Sequence, residues 1–185
     1  MNHKFFVYTF LASLLPGLAH ASEAEINIGD QSVNGQLTLL TSSKQAEFGA
    51  GYIYREGGVH IGNIDLHARG QTAIGNLPTT VGIGAQLSFF DENDLDGSAL
   101  GLGGYAHVKI PEVPGLGIKA AVHFAPSITS FGDTDMFWRT DIKATYRVIQ
   151  NADIYVGYRN VRADLNESGD HSLDENAHVG FTVMF

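Results

Sequence analysis

Cysteine is absent from all 185 residues. Disulfides, thiol nucleophiles and thiolate metal sites are therefore excluded, and stability must come from backbone hydrogen bonding and packing. Basic residues are also scarce: 11 Lys and Arg stand against 20 Asp and Glu, a formal charge of −9. This deficit argues against a nucleic-acid partner, which needs broad neutralisation of phosphates. Long apolar runs are missing too. After residue 21, glycine or a charge interrupts every hydrophobic stretch, so none reaches the roughly 20 apolar residues of a transmembrane helix. If the chain crosses a bilayer, it must do so as a closed β-barrel, which pairs every backbone group between strands.

The chain opens with Asn2, His3 and Lys4, an apolar run from Phe5 to Leu15, then Pro16, Gly17 and the small-residue pattern Ala19-His20-Ala21. This is the pattern of a secretory signal peptide, residues 1–21, too short to span a bilayer. Its removal after Ala21 leaves one domain, 22–185, and takes Lys4 with it, which moves the formal charge from −9 to −10. The other terminus, Asn176 to Phe185, alternates strictly. Ala177, Val179, Phe181, Val183 and Phe185 share one face, opposite His178, Gly180, Thr182 and Met184. A terminal strand of this kind, ending on Phe185, resembles the assembly signal of bacterial outer-membrane barrels; the competing reading is the last strand of a soluble sandwich.

Period-two segments recur along the chain, as expected where one face meets lipid and the other a polar interior. Ala46 to Arg55 sets Ala46, Phe48, Ala50, Tyr52 and Tyr54 against Glu47, Gly49, Gly51 and Arg55, with Ile53 out of pattern. Val81 to Phe89 and Leu116 to Phe124 behave alike, and Met136 to Val148 interleaves Trp138, Ile142, Ala144 and Tyr146 with Arg139, Asp141, Lys143 and Arg147. Further strands fit Val33 to Leu40, Val59 to Gly70, Ser98 to Ile110, Asp153 to Val161 and the terminal segment, while a change of apolar face near Gly62 and Asn63 predicts a β-bulge. Barrel strands come in even numbers. Glu25 to Gly29, with Ile26 and Ile28 alternating, supplies the strand that completes ten; eight is the alternative if the first segments lie outside the wall. The predicted fold is thus an all-β, antiparallel, up-and-down transmembrane β-barrel.

Connection lengths orient it. With the C-terminus on the periplasmic side, Pro111 to Gly115 and Gln150 to Ala152 are short inner turns. Asp91 to Gly97, Pro126 to Asp135 and Asp164 to Glu175 become outer loops; these acid-rich stretches are read as solvated. Tyr54, Phe89, Phe124, Trp138 and Tyr158 approach the outer strand ends, and Tyr146 and Phe185 the inner ends, as two interfacial belts should. The 22 glycines fall mostly on inward faces, where they relieve crowding in a narrow bore.

The candidate lumen residues follow from the alternation: Arg55, Lys109, Lys119, Arg139, Asp141, Lys143, Arg147 and Arg159, with Glu47, Asp65, Arg69 and Asp153 beside them. Eight of these twelve are basic. A salt-bridged plug that seals the bore is one reading; a narrow polar pore biased towards anions is the other. His123 and Ser127 near an outer rim, with Asp133 and Asp135 beyond, have the residue types of a hydrolytic triad but no specific spacing. The remaining histidines show no metal-ligand spacing. Glu92 to Gly97 starts like a calcium loop, yet its twelfth position is Gly103 rather than a closing glutamate. No catalytic residue, metal or cofactor is therefore expected.

Leu100-Gly101-Leu102-Gly103-Gly104, His123-Phe124-Ala125-Pro126-Ser127, Val156-Gly157-Tyr158-Arg159 and Val179-Gly180-Phe181-Thr182-Val183-Met184-Phe185, taken in order, resemble the YfaZ family of small outer-membrane proteins. The resemblance implies an outer-membrane barrel and brings no activity or catalytic residues. The expected function is a non-enzymatic barrel, structural or narrow-pore with a basic-biased lumen; the alternative is a surface-interaction or lipid-modifying protein acting through its rim and acidic loops. Expected partners are outer-membrane lipids and lipopolysaccharide, and the assembly machinery through the strand ending in Phe185.

Overall fold

A computed structural model describes residues 22–92, 95–132, 134–165 and 169–185. The expected signal peptide lies outside the described residues, as do Asn93 and Asp94 of the calcium-like loop. Eleven strands follow in order: β1 (Ser22–Gly29), β2 (Ser32–Leu40), β3 (Ala46–Arg55), β4 (Val59–Ile74), β5 (Leu77–Glu92), β6 (Leu95–Lys109), β7 (Leu116–Ala125), β8 (Ser130–Gly132), β9 (Thr134–Ile149), β10 (Ala152–Leu165) and β11 (Gly169–Met184). Each pairs antiparallel with its sequence neighbour, except that β8 lies on β6 and β7 pairs with β9. β1 then pairs with β11, from Glu23↔Met184 to Gly29↔His178, and the sheet closes as a barrel of ten strands with β8 as a flap on one rim. The alternative of eight is thereby settled in favour of ten.

The alternation sorts the side chains as lipid requires. Ile83 is 73% exposed and Leu102 69% on the outer surface, whereas the inward Asn27, Arg159 and Asp174 have no exposure at all. This inverts the arrangement of a soluble domain, which buries its aliphatic residues and rarely leaves a wide apolar surface uncovered. Against bilayer the wide apolar surface is the stable one. Both ends of the described chain reach the same rim, beside the turns that join β2 to β3, β6 to β7 and β9 to β10.

Three expectations need correction. No bulge occurs at Gly62 and Asn63: β4 pairs without a break with both β3 and β5. The apparent change of face arises because inward Val59 and Ile61 are apolar, with 1% and 0% exposure. The irregularities lie instead at Val161/Arg162 between β10 and β11, and at Ala152/Asp153 and Asp164/Leu165 between β10 and β9. Secondly, Pro126 to Asp135 is not all loop, since a 3-10 turn at Ser127–Thr129 leads into β8. Thirdly, much of Asp91 to Gly97 and of Asp164 to Glu175 is strand: β5 runs to Glu92 and β6 starts at Leu95, while β10 runs to Leu165 and β11 starts at Gly169, so Asp174 is an inward, fully buried residue rather than a solvated one. The hydrogen-bonded ladder thus continues beyond the apolar belt.

Glycine is essential where walls approach closely. A Cβ on Gly103 would collide with the Val122 carbonyl oxygen and lie 2.7 Å from the His123 Cα, whereas one on Gly35 would meet nothing within 4 Å. Gly103→Val should therefore lower unfolding stability by about 1–3 kcal/mol through overpacking. Gly35→Val should leave it nearly unchanged, as measured by urea unfolding in lipid vesicles.

Candidate functional site: the barrel interior

The interior is layered. Beneath the rim that carries β8, apolar side chains fill the bore. Ile53, Ile61, Ala99, Ala125, Val161 and Leu173, from six different strands, are all 0% exposed. Phe90 from β5 and Phe137 from β9 meet with rings stacked at 10° and centroids 6.5 Å apart. Ile53, out of pattern in the sequence, belongs to this layer.

A charged layer lies next to it. The Arg159 Nε donates to Asp174 Oδ2 at 2.6 Å, and its two terminal nitrogens donate to Asn27 Oδ1 at 3.1 Å and Ser32 Oγ at 3.2 Å. Asn176 adds bonds to Ser32 Oγ and Asp174 Oδ1. β10, β11, β1 and β2, the strands around the closure, are thereby tied from inside. Arg55 reaches from β3 to the carbonyl oxygens of Ser172 and Leu173 at 3.1 and 2.9 Å, at the β11 bulge.

Towards the termini the interior becomes hydrophilic around a cavity of ≈ 150 Å³. Asp65 accepts bonds from Gln36, Asn63 and Gln86, and Arg139 donates to Asn63 Oδ1 at 2.9 Å. Lys143 bonds Glu25 at 2.5 Å, lies 3.6 Å from Asp141 and stands over the Tyr155 ring at 4.7 Å. Lys119 stands over Tyr105, 5.1 Å from its ring centre. Glu47 accepts from the Tyr105 hydroxyl at 2.7 Å and lies 3.4 Å from His67 Nδ1, whose Nε2 is 2.8 Å from Nε2 of His123. At the rim of the chain termini Arg147 holds Asp153 at 2.5 and 3.0 Å, and Lys109 is exposed.

The eight candidate lumen residues thus occupy different places. Lys119, Arg139, Asp141 and Lys143 line the cavity. Arg159 and Arg55 belong to the half beneath the β8 rim, and Arg147 and Lys109 to the rim that carries the chain termini. Sequence reasoning passed over Glu23, Glu25, Glu92 and Asp174, which bring the inward acids among the described residues to eight beside Glu47, Asp65, Asp141 and Asp153. Against eight inward bases among the same residues, the basic excess disappears. The signal for Glu25 was available: outward Ile26 and Ile28 force Glu25 and Asn27 inward. His123 points into the bore at His67, not at the exposed Ser127 of the 3-10 turn, so those two triad candidates do not come together. His107 and His178 also face inward, while His60 sits outside against Tyr52 and Tyr54 and His171 against Glu92 at the β8 rim.

Burial decides which ion pair matters. Removing one partner of a fully buried pair strands the other charge, so Arg159→Met should cost about 3–5 kcal/mol. Arg147, whose side chain is 39% exposed, should lose less than about 1 kcal/mol on the same change. Adding Asp174→Leu to Arg159→Met should restore much of the loss. Equilibrium unfolding of the three variants checks all of this.

Comparison with known proteins returns folds and a family. The outer-membrane channel DcaP of Acinetobacter baumannii aligns over 86% of this chain and 54% of its own, with 10% identity and a TM-score of 0.42. This chain therefore spans about half of that channel's length. A protein solved in work on the in-meso crystallization of membrane proteins aligns over 90% of this chain and 83% of its own, with 13% identity and a TM-score of 0.47. No curated protein matches. The pattern of the family described as YfaZ precursor, in contrast, matches residues 3–185, and the chain belongs to the YfaZ family.

Proposed function

We propose that this protein is a non-enzymatic, integral barrel of the bacterial outer membrane, its bore closed towards the outer loops and wet towards the side of the chain termini. The observation that carries this reading is the layer of fully buried apolar residues across the bore, from Ile53 to Leu173, backed by the buried Arg159–Asp174 pair. A packed layer without solvent exposure leaves no path for a hydrated ion. The cavity below it has room and polar partners for several waters. The family's description as a precursor favours export, and the apolar outer surface with no cysteine suits an exported membrane protein.

On this reading its contacts are lipids along the apolar belt, lipopolysaccharide at the acid-rich rim, and the assembly machinery through β11 with its terminal Phe185. A narrow anion-biased pore is the weaker reading, because Glu23, Glu25, Glu92 and Asp174 bring the inward acids level with the inward bases.

Refolded protein in planar bilayers should be electrically silent. Phe90→Ala combined with Phe137→Ala removes the stacked pair and should produce stepwise openings. Frequent openings of the unsubstituted protein would favour the pore.

A further inference from the structure

His67 and His123 meet although two strands separate them. One row of Cα partners runs round the wall as Glu47 (β3), His67 (β4), Gly84 (β5), Gly103 (β6), His123 (β7) and Arg139 (β9). The two positions between the histidines are both glycine. A Cβ on Gly84 would lie 2.7 Å from the His67 Cα, and one on Gly103 2.7 Å from the His123 Cα. The glycine pair is thus a floor over which the two imidazoles lean together, Nε2 to Nε2 at 2.8 Å with ring centroids 5.1 Å apart. Both residues are 5% exposed, and both line the wet cavity.

We propose that this histidine pair is an acid-released brace inside the barrel. At 2.8 Å there is room for one hydrogen between the two nitrogens. With both rings neutral, one donates and the other accepts. One added proton keeps the contact, as an imidazolium donating to an imidazole. A second proton puts hydrogen on both facing nitrogens and like charge on both rings, and the contact breaks. Histidine titrates near pH 6.5 when unperturbed, and coupled groups lose protons in separate macroscopic steps. The brace therefore holds at neutral pH, survives the first protonation and lets go at the second, as pH falls.

Other charged groups surround the pair. Glu47 of β3 lies 3.4 Å from His67 Nδ1. Glu47 is itself held by Tyr105 of β6 and lies 3.8 Å from Arg69 of β4. Asp65 of β4 is occupied by three amide donors, and β5 presents only uncharged Gln86. Arg139 of β9 is the partner of His123 in the row, and Lys119 of β7 lines the same cavity. Release frees β4 from β7 across the glycine floor and lets the cavity widen.

Nitrogen-15 NMR of the full barrel in lipid nanodiscs, titrated from pH 8 to 3, tests this. The two rings should titrate in steps more than about one unit apart, and the amide protection factors of Gly84 and Gly103 should fall at least about tenfold across the lower step. In His123→Gln, which keeps a side-chain donor but cannot take a proton, His67 should titrate once and both glycines should stay protected. His67→Gln should mirror this, which guards against a folding defect in either variant. Independent titration of the two rings near their ordinary value, or equal acid loss of protection in wild type and both variants, would overturn the brace.

Discussion

The pairing of β1 with β11 is the constraint on which everything else rests. In hydrocarbon an unpaired backbone N–H or C=O costs several kcal/mol, and water cannot relieve it. A sheet of ten strands left open would expose two such edges, so seven paired residues of β1, from Glu23 to Gly29, decide whether the fold is tolerable in a membrane. Closure brings both ends of the described chain to one rim. It also forces every second side chain into a bore too narrow to leave empty.

That bore sets the second problem: polar side chains shielded on all sides. It is met differently along the axis. Near the β8 rim the inward residues are apolar and pack without exposure, and the charge next to them, Arg159, has Asp174, Asn27 and Ser32 as simultaneous partners. Towards the termini the carboxylates of Glu25, Glu47 and Asp65 each collect donors from facing strands, and the cavity is lined by the cations Lys119 and Arg139. Ion pairs in such a place add specificity of register more surely than net stability. The Arg159 fan illustrates this, since it fits only when β10, β11, β1 and β2 hold their observed offsets.

Much of this was legible in the residues. Outward faces were plain in β3, β7 and β9 because lipid demands an apolar residue at every second position. Closure with ten strands followed from parity and from Ile26 and Ile28. The interior was harder to read, since alternation assigns a side chain to the bore but not to a partner. Val59 and Ile61 imitated a bulge because period-two reasoning expects a polar inner face, and a packed apolar layer breaks that expectation without breaking the ladder. Asp174 looked solvated among neighbouring acids; its role depends on Arg159, fifteen residues earlier and adjacent only across the β10–β11 ladder. The meeting of His67 with His123 needs the register of four consecutive strands, β4 to β7, which no local pattern contains.

The absence of cysteine makes the asymmetric bore directly measurable. Thr38→Cys would place a thiol at the wall of the cavity, and Ala99→Cys one in the sealed layer. In oriented vesicles, a membrane-impermeant maleimide should label the first from the side of the chain termini alone and the second from neither side. Labelling of the Ala99→Cys thiol from either face, at a rate comparable to Thr38→Cys, would contradict a closed barrel.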